Sequence, residues 1–194
     1  MNDLEVQRCA WATGGTRPDP LMVAYHDDEW GVPVSGDAEL FERLSLECFQ
    51  AGLSWATILR KRKQFRVAFQ GFDPAVVARF DLADRDRLMA NRGIVRNGLK
   101  IDSTITNALA FQRVVAQFGS FDAYLRTMAP PLAPPWPAGT GLSDLPSRSP
   151  ASDALSADLK ARGFRFVGST IVYAFMESVG LVDDHLPGCF RYRG

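Results

Sequence analysis

At 194 residues, 46% of them apolar, the chain suits one compact domain, or one domain with a lobe made from its ends. Basic and acidic residues balance at 22 each, with an isoelectric point near 6.7, which taken whole argues against a nucleic-acid binder. The acidic opening Met-Asn-Asp-Leu-Glu is no secretory signal, no long apolar run follows, and three cysteines cannot complete a disulfide set, so we expect a cytoplasmic protein without a membrane partner.

In chain order the apolar spacing is helical nearly throughout. Asp37 is expected to cap a helix bearing Leu40, Phe41, Leu44 and Cys48. Gln50-Ala51-Gly52-Leu53 interrupts it, and Ser54 caps a second helix with Trp55, Ile58, Leu59, Phe65 and Phe69. Asp73-Pro74 and Asp81 start two short helices, the latter ending near Asn91. Arg92 to Gly98 forms a glycine-bracketed turn into a long helix marked by Ile101, Ile105, Ala108, Phe111, Val115 and Phe118. Ser120 caps one more helix, and residues 129–151 hold most of the prolines and read as a loop. Ser149-Pro150 opens a helix that stops at Gly163, and Ser169 to Val179 is a last apolar helix before Gly180. Strand-like alternation is confined to Phe164 to Val167, so the expected fold class is all-α.

The charge distribution qualifies the neutral total. No acid occurs from Cys48 to Phe72 or from Arg87 to Ile101, yet both stretches are rich in Arg and Lys. Such polarity can present one basic face to phosphates, although solvated helix faces carry the same charges. The turn at Gly93 to Gly98 could aim backbone N–H groups at a phosphate, or simply connect two helices.

The only two histidines, His26 and His185, lie near opposite ends of the chain, as do Cys9 and Cys189. Two sulfurs and two imidazoles suit one tetrahedral zinc, and a shell of four protein ligands leaves no position for chemistry. The same residues also suit packed or free thiols, because only His185-x3-Cys189 has recognised ligand spacing. Trp11, Tyr25, Trp30 and Trp55 gather with Glu47 in the first third of the chain. Such a set suits a flat cationic ligand, or equally a set of core aromatics and a surface acid.

Arg8-Cys9-Ala10-Trp11, Ala24 to Pro33, Leu46-Glu47 to Trp55, Ser149 to Asp153, Arg162 to Gly168 and Asp184-His185 to Cys189 together resemble the DNA-3-methyladenine glycosylase I family over nearly the whole chain. The resemblance implies a helix-hairpin-helix glycosylase-type helical body at about 37–128. A zinc-binding lobe would be formed by terminal segments at about 1–36 and 140–194, within a single domain. It implies one structural zinc on Cys9, His26, His185 and Cys189, and a base pocket of Trp11, Tyr25, Glu47 and Trp55, with Glu47 the catalytic group. Gln50 and Leu53 would enter the DNA, while Gly93, Arg96, Gly98 and Lys100 would grip its backbone. The implied activity is monofunctional release of 3-methyladenine from alkylated double-stranded DNA, without strand cleavage and with no protein partner evident. A non-catalytic zinc-containing DNA-damage-binding protein is the alternative. A zinc hydrolase would need the open coordination site that four ligands deny. Cys48, the Gly/Thr loop at 13–17 and the proline-rich segment at 129–138 depart from the family pattern, and Asp102 is read as a helix-surface residue.

Overall fold

The computed structural model describes residues 6–14, 17–129 and 135–193. The acidic opening and parts of the 13–17 and 129–138 segments lie outside the described residues. Among those residues the chain forms ten α-helices and no strand. They are α1 Ala10–Thr13, α2 Pro20–Asp28, α3 Asp37–Gln50, α4 Trp55–Ala68, α5 Pro74–Val77, α6 Leu82–Ala90, α7 Gly98–Phe118, α8 Phe121–Met128, α9 Pro150–Ala161 and α10 Ser169–Ser178.

Local chemistry starts most of them. Ser54, Asp73, Asp81, Asn97, Ser120 and Ser149 each accept a first-turn backbone N–H, satisfying donors that the helix itself leaves open. Asp37 departs from expectation. Gly36 is the cap, Asp37 is the first helical residue, and its carboxylate accepts Phe121 N–H at 2.9 Å, tying α3 to the start of α8. No helix was expected at α1 or α2. α2 carries no apolar stripe, because neighbouring residues Tyr25 and His26 are both buried.

α3 is the central helix: every residue from Leu40 to Phe49 is buried, four polar ones included. Phenylalanines fill the space around it. Phe41 meets Phe111 at 5.3 Å, and Phe111 stacks on Phe121 at 4.1 Å. Each such ring contributes about 1.5–3 kcal/mol through burial. Leu155, Leu159, Val172 and Phe175 of α9 and α10 join this same core. The sequence boundary at 140 thus assigned to the terminal lobe residues that pack in the body. A second cluster of Cys9, Tyr25, Trp30, Leu59, Leu186 and Cys189 holds the two ends together. Gly180 closes this junction at φ +73°, where a Cβ would come within 2.8 Å of Pro33 N. The strand-like alternation at Phe164–Val167 belongs to an irregular strap between α9 and α10, and no strand forms among the described residues, as the all-α expectation had it. No helix among the described residues is long and apolar enough to cross a membrane.

Candidate functional site

Between α2, α3, α4 and α10 lies a cavity of about 240 Å³ lined by Trp11, Met22, Tyr25, Trp30, Glu47, Gln50, Trp55, Ala174 and Glu177. It is smaller than the roughly 300–1,000 Å³ of drug-sized sites, which suits a single flat ring system. The four residues expected to bind the base are thus brought together from α1 to α4. Tyr25 and Trp55 approach at 5.1 Å between ring centres, and Trp11 packs edge-on against Trp30 at 5.0 Å. The walls are aromatic and the polar groups few.

Those polar groups are poorly satisfied by the protein. Burial pushes the Glu47 carboxyl up to about 8 against the opposing pull of Arg43. The buried Trp55 Nε1 donor has no hydrogen-bond partner among the described residues. Leaving such a donor unpaired costs about 1–3 kcal/mol. Glu177 faces the same cavity from α10, its carboxyl raised by burial, by Asp184 and by Glu47. Sequence reasoning missed Glu177. The available signal was a lone acid within the apolar run Ser169 to Val179. Met22 and Ala174 carried none, and Gln50, expected at the DNA, lines the cavity as well.

Behind this wall stand the two histidines and two cysteines. One ligand atom from each of Cys9, His26, His185 and Cys189 lies within 4.8 Å of the others, and all four residues are buried. Cys189 Sγ is 3.4 Å from His26 Nε2 and 3.6 Å from His185 Nδ1, and Cys9 Sγ is 3.8 Å from His185 Nδ1. A tetrahedral ion with bonds of about 2.3 Å to sulfur and about 2.0 Å to nitrogen spaces its ligands at roughly 3.3–3.8 Å, so the set could hold a metal. The supporting contacts match that use. His26 Nδ1 faces Asp27 at 2.7 Å, Asp27 is gripped by Arg8, and His185 Nε2 faces the Trp30 carbonyl at 3.3 Å. Leu186 N–H and Arg191 N–H point at the two sulfurs, each at 3.5 Å. Burial lowers both imidazoles, His185 to about 4, which keeps them neutral and able to donate a lone pair.

The residues expected at the DNA divide. Leu53 is exposed at 41%, and Arg96 is exposed in the α6–α7 turn. A Cβ at Gly93 would come within 3.0 Å of Gln64 Cβ and Cγ, whereas one at Gly98 would meet only the movable guanidinium of Arg85 at 3.0 Å. Lys100 does not face outward. It is buried, and its amine donates to Phe49 O at 2.9 Å and to Ala51 O at 2.6 Å, capping the end of α3. The acid-free stretch on α4 is also less basic in space than in sequence. Arg62 and Arg66 pair with Glu42, Arg62 also with Glu29, and Arg60 with Asp19. Lys63, Arg92 and Arg96 remain exposed without an ion pair among the described residues.

Comparison with known proteins fits this arrangement. A family model described as methyladenine glycosylase matches residues 11–192. DNA-3-methyladenine glycosylase 1 of Escherichia coli (strain K12) is 44% identical over 189 residues, covering 97% of this chain and 98% of that protein. The DNA-3-methyladenine glycosylase of Haemophilus influenzae is 39% identical, covering 94% and 96%. A structure of the Staphylococcus aureus 3-methyladenine DNA glycosylase I, solved to explain its recognition of 3-methyladenine, superposes with a TM-score of 0.88 at 34% identity. It covers 97% of this chain and 99% of that one.

Proposed function

The chain belongs to the methyladenine glycosylase family, and on that premise we infer that it is a base excision repair glycosylase releasing 3-methyladenine from alkylated DNA. The observation that carries this reading is an aromatic slot of single-base size with the buried Glu47 carboxyl in its wall. Methylation at N3 leaves the adenine of a nucleotide positively charged, so its bond to the sugar is weak and the base departs neutral. The C1′–N9 bonding pair leaves with the base, water oxygen bonds to C1′, and the surplus proton passes to solvent. Little acid catalysis is required. Extrusion of the base from the stack is the difficult part and costs a few kcal/mol.

In the slot Trp11, Tyr25 and Trp55 stack on the base, and Glu47 accepts from its amino edge. A cationic base also stabilises the ionised form of Glu47, which burial alone disfavours. Neutral adenine offers no such charge. That difference supports selectivity for the alkylated base. No lysine lines the slot among the described residues, in keeping with release that leaves the strand uncut.

Leu53 fills the vacated gap, and the α6–α7 turn acts as a helix-hairpin-helix whose second helix offers its N-terminal N–H groups to phosphate, with Arg96 beside it. Cys9, His26, His185 and Cys189 would hold one zinc, which would supply structural cross-linking of the two ends. The three cysteines are free and buried, which supports a cytoplasmic setting. The test is chromatography of bases freed from methylated DNA. Wild type is expected to release 3-methyladenine and Glu47→Gln to release far less; no release by wild type would overturn the enzymatic reading in favour of damage binding alone.

A further inference from the structure

The strap between α9 and α10 is neither helix nor strand, yet three successive carbonyls in it are each held by a buried side chain from a different helix. Asn107 of α7 donates to Arg165 O at 3.0 Å and accepts the Arg165 N–H at 2.7 Å. Cys48 of α3 donates its thiol to Phe166 O at 3.2 Å, and Ser156 of α9 donates to Val167 O at 2.7 Å. None of the three side chains belongs to a residue more than 2% exposed. Burial pushes the Cys48 thiol up to about 12, so it keeps its proton and stays a donor.

This scaffold holds Phe166 at φ +55°, a left-handed conformation that is strained for any side chain other than glycine's. Phe72 shares that conformation at φ +56°, but its fully buried ring stacks on Phe69 at 5.3 Å, and packing offsets the strain. Phe166 has no such compensation. It is 39% exposed, and no aromatic ring stacks on it among the described residues. The fold thus tolerates strain at a position where a large aromatic residue stays partly open to solvent.

Its location gives the ring a partner. Cys48, which holds the Phe166 carbonyl, follows Glu47 of the slot and precedes Gln50, where α3 gives way to the turn carrying the exposed Leu53. Past the strap, α10 supplies Ala174 and Glu177 to the same slot. One helix braces both segments: α7 holds Phe49 O and Ala51 O through Lys100, and the strap through Asn107. Building on the reading of this chain as a DNA glycosylase, we propose that Phe166 is a second wedge. Its ring stacks on a base bordering the extruded nucleotide while Leu53 enters from the neighbouring turn. The exposed Arg165 beside it faces the adjoining phosphate. An aromatic face fits any base, so such a wedge adds grip without sequence preference.

The test uses the full chain with a duplex holding a tetrahydrofuran abasic analogue flanked by 2-aminopurine, whose fluorescence reports stacking. Single-turnover release of 3-methyladenine and thermal melting are measured alongside. Phe166→Ala is expected to abolish the 2-aminopurine response and slow release about tenfold. Phe166→Gly should do the same while melting higher than Phe166→Ala, because glycine relieves the left-handed backbone. Phe166→Leu, retaining apolar bulk, should recover part of the rate. Wild-type fluorescence and release in Phe166→Ala would overturn the proposal, as would release that follows the melting temperature, with the Gly variant faster than the Ala variant. An inactive wild type would instead sink the glycosylase reading, while the fluorescence on the abasic duplex would still decide the wedge.

Discussion

The aromatic slot and the Cys/His cluster are built from neighbouring residues yet treat their polar groups in opposite ways. Tyr25 of α2 faces the slot while His26 faces the cluster, and Trp30 lines the slot while its carbonyl receives His185. In the cluster each side chain is supported: Asp27 for His26, Trp30 O for His185, a backbone N–H for each sulfur. In the slot, the Trp55 donor is unpaired and the Glu47 carboxyl sits in surroundings that disfavour its charge. Supported groups mark a part whose geometry folding has already fixed. Unsatisfied ones mark where a ligand is needed, because binding recovers what folding left unpaired.

The sharpest way to break this contrast is at the cluster. If it holds a structural zinc, elemental analysis should find about one zinc per chain. Cys189→Ala or His26→Ala should then lower the melting temperature by roughly 10 °C or more, several kcal/mol for a chain of this size. A well-folded preparation with no zinc would remove the clasp. In the slot the balance should reverse, with activity lost and stability kept. Glu47→Gln should cut 3-methyladenine release about a hundredfold, as loss of a preorganised electrostatic group does.

The stability of that variant also has a definite pH sign. The folded-state carboxyl is raised from the ordinary 4.5 to about 8, so its favourable contribution is complete below 4.5 and is lost as pH rises through 8. Glu47→Gln should therefore match wild type near pH 4.5 and melt progressively higher than it toward pH 8, which thermal scans across that window would read. A constant difference would mean that Glu47 is not desolvated.

Smaller effects sharpen the picture. Trp55→Phe keeps a stacking ring but removes the unpaired donor. It should weaken 3-methyladenine binding by about 1 kcal/mol without lowering the melting temperature of the free protein, a pairing that calorimetry and melting can test together. Arg96→Ala should reduce the slope of DNA affinity against salt by about one unit, whereas Lys100→Met should leave that slope unchanged and slow base release, since its amine holds the end of α3 rather than phosphate. Equal salt slopes in the two variants would return Lys100 to the DNA face.

Much of this was legible from residues alone. Ser54, Asp73-Pro74, Asp81, Ser120 and Ser149 announced helix starts because capping is a bond between near neighbours in sequence. Asp37 misled for the same reason: its real partner, Phe121, lies 84 residues away. The basic stretch on α4 misled because Glu29 and Glu42, from elsewhere in the chain, neutralise Arg62 and Arg66. Glu177 was hidden in an apolar run whose helical period reported burial without reporting what it was buried against.

By itself the sequence determined an all-helical chain, a Cys/His set divided between its two ends and a group of aromatic residues with Glu47 in its first third. All of these follow from residue identity and local spacing. Tertiary structure alone decided which charges find partners, that Lys100 braces a helix end, that Glu47 and Trp55 are left wanting, and that Phe166 stays partly open to solvent. Those outcomes depend on desolvation and on partners tens of residues distant, and only the folded packing sets either.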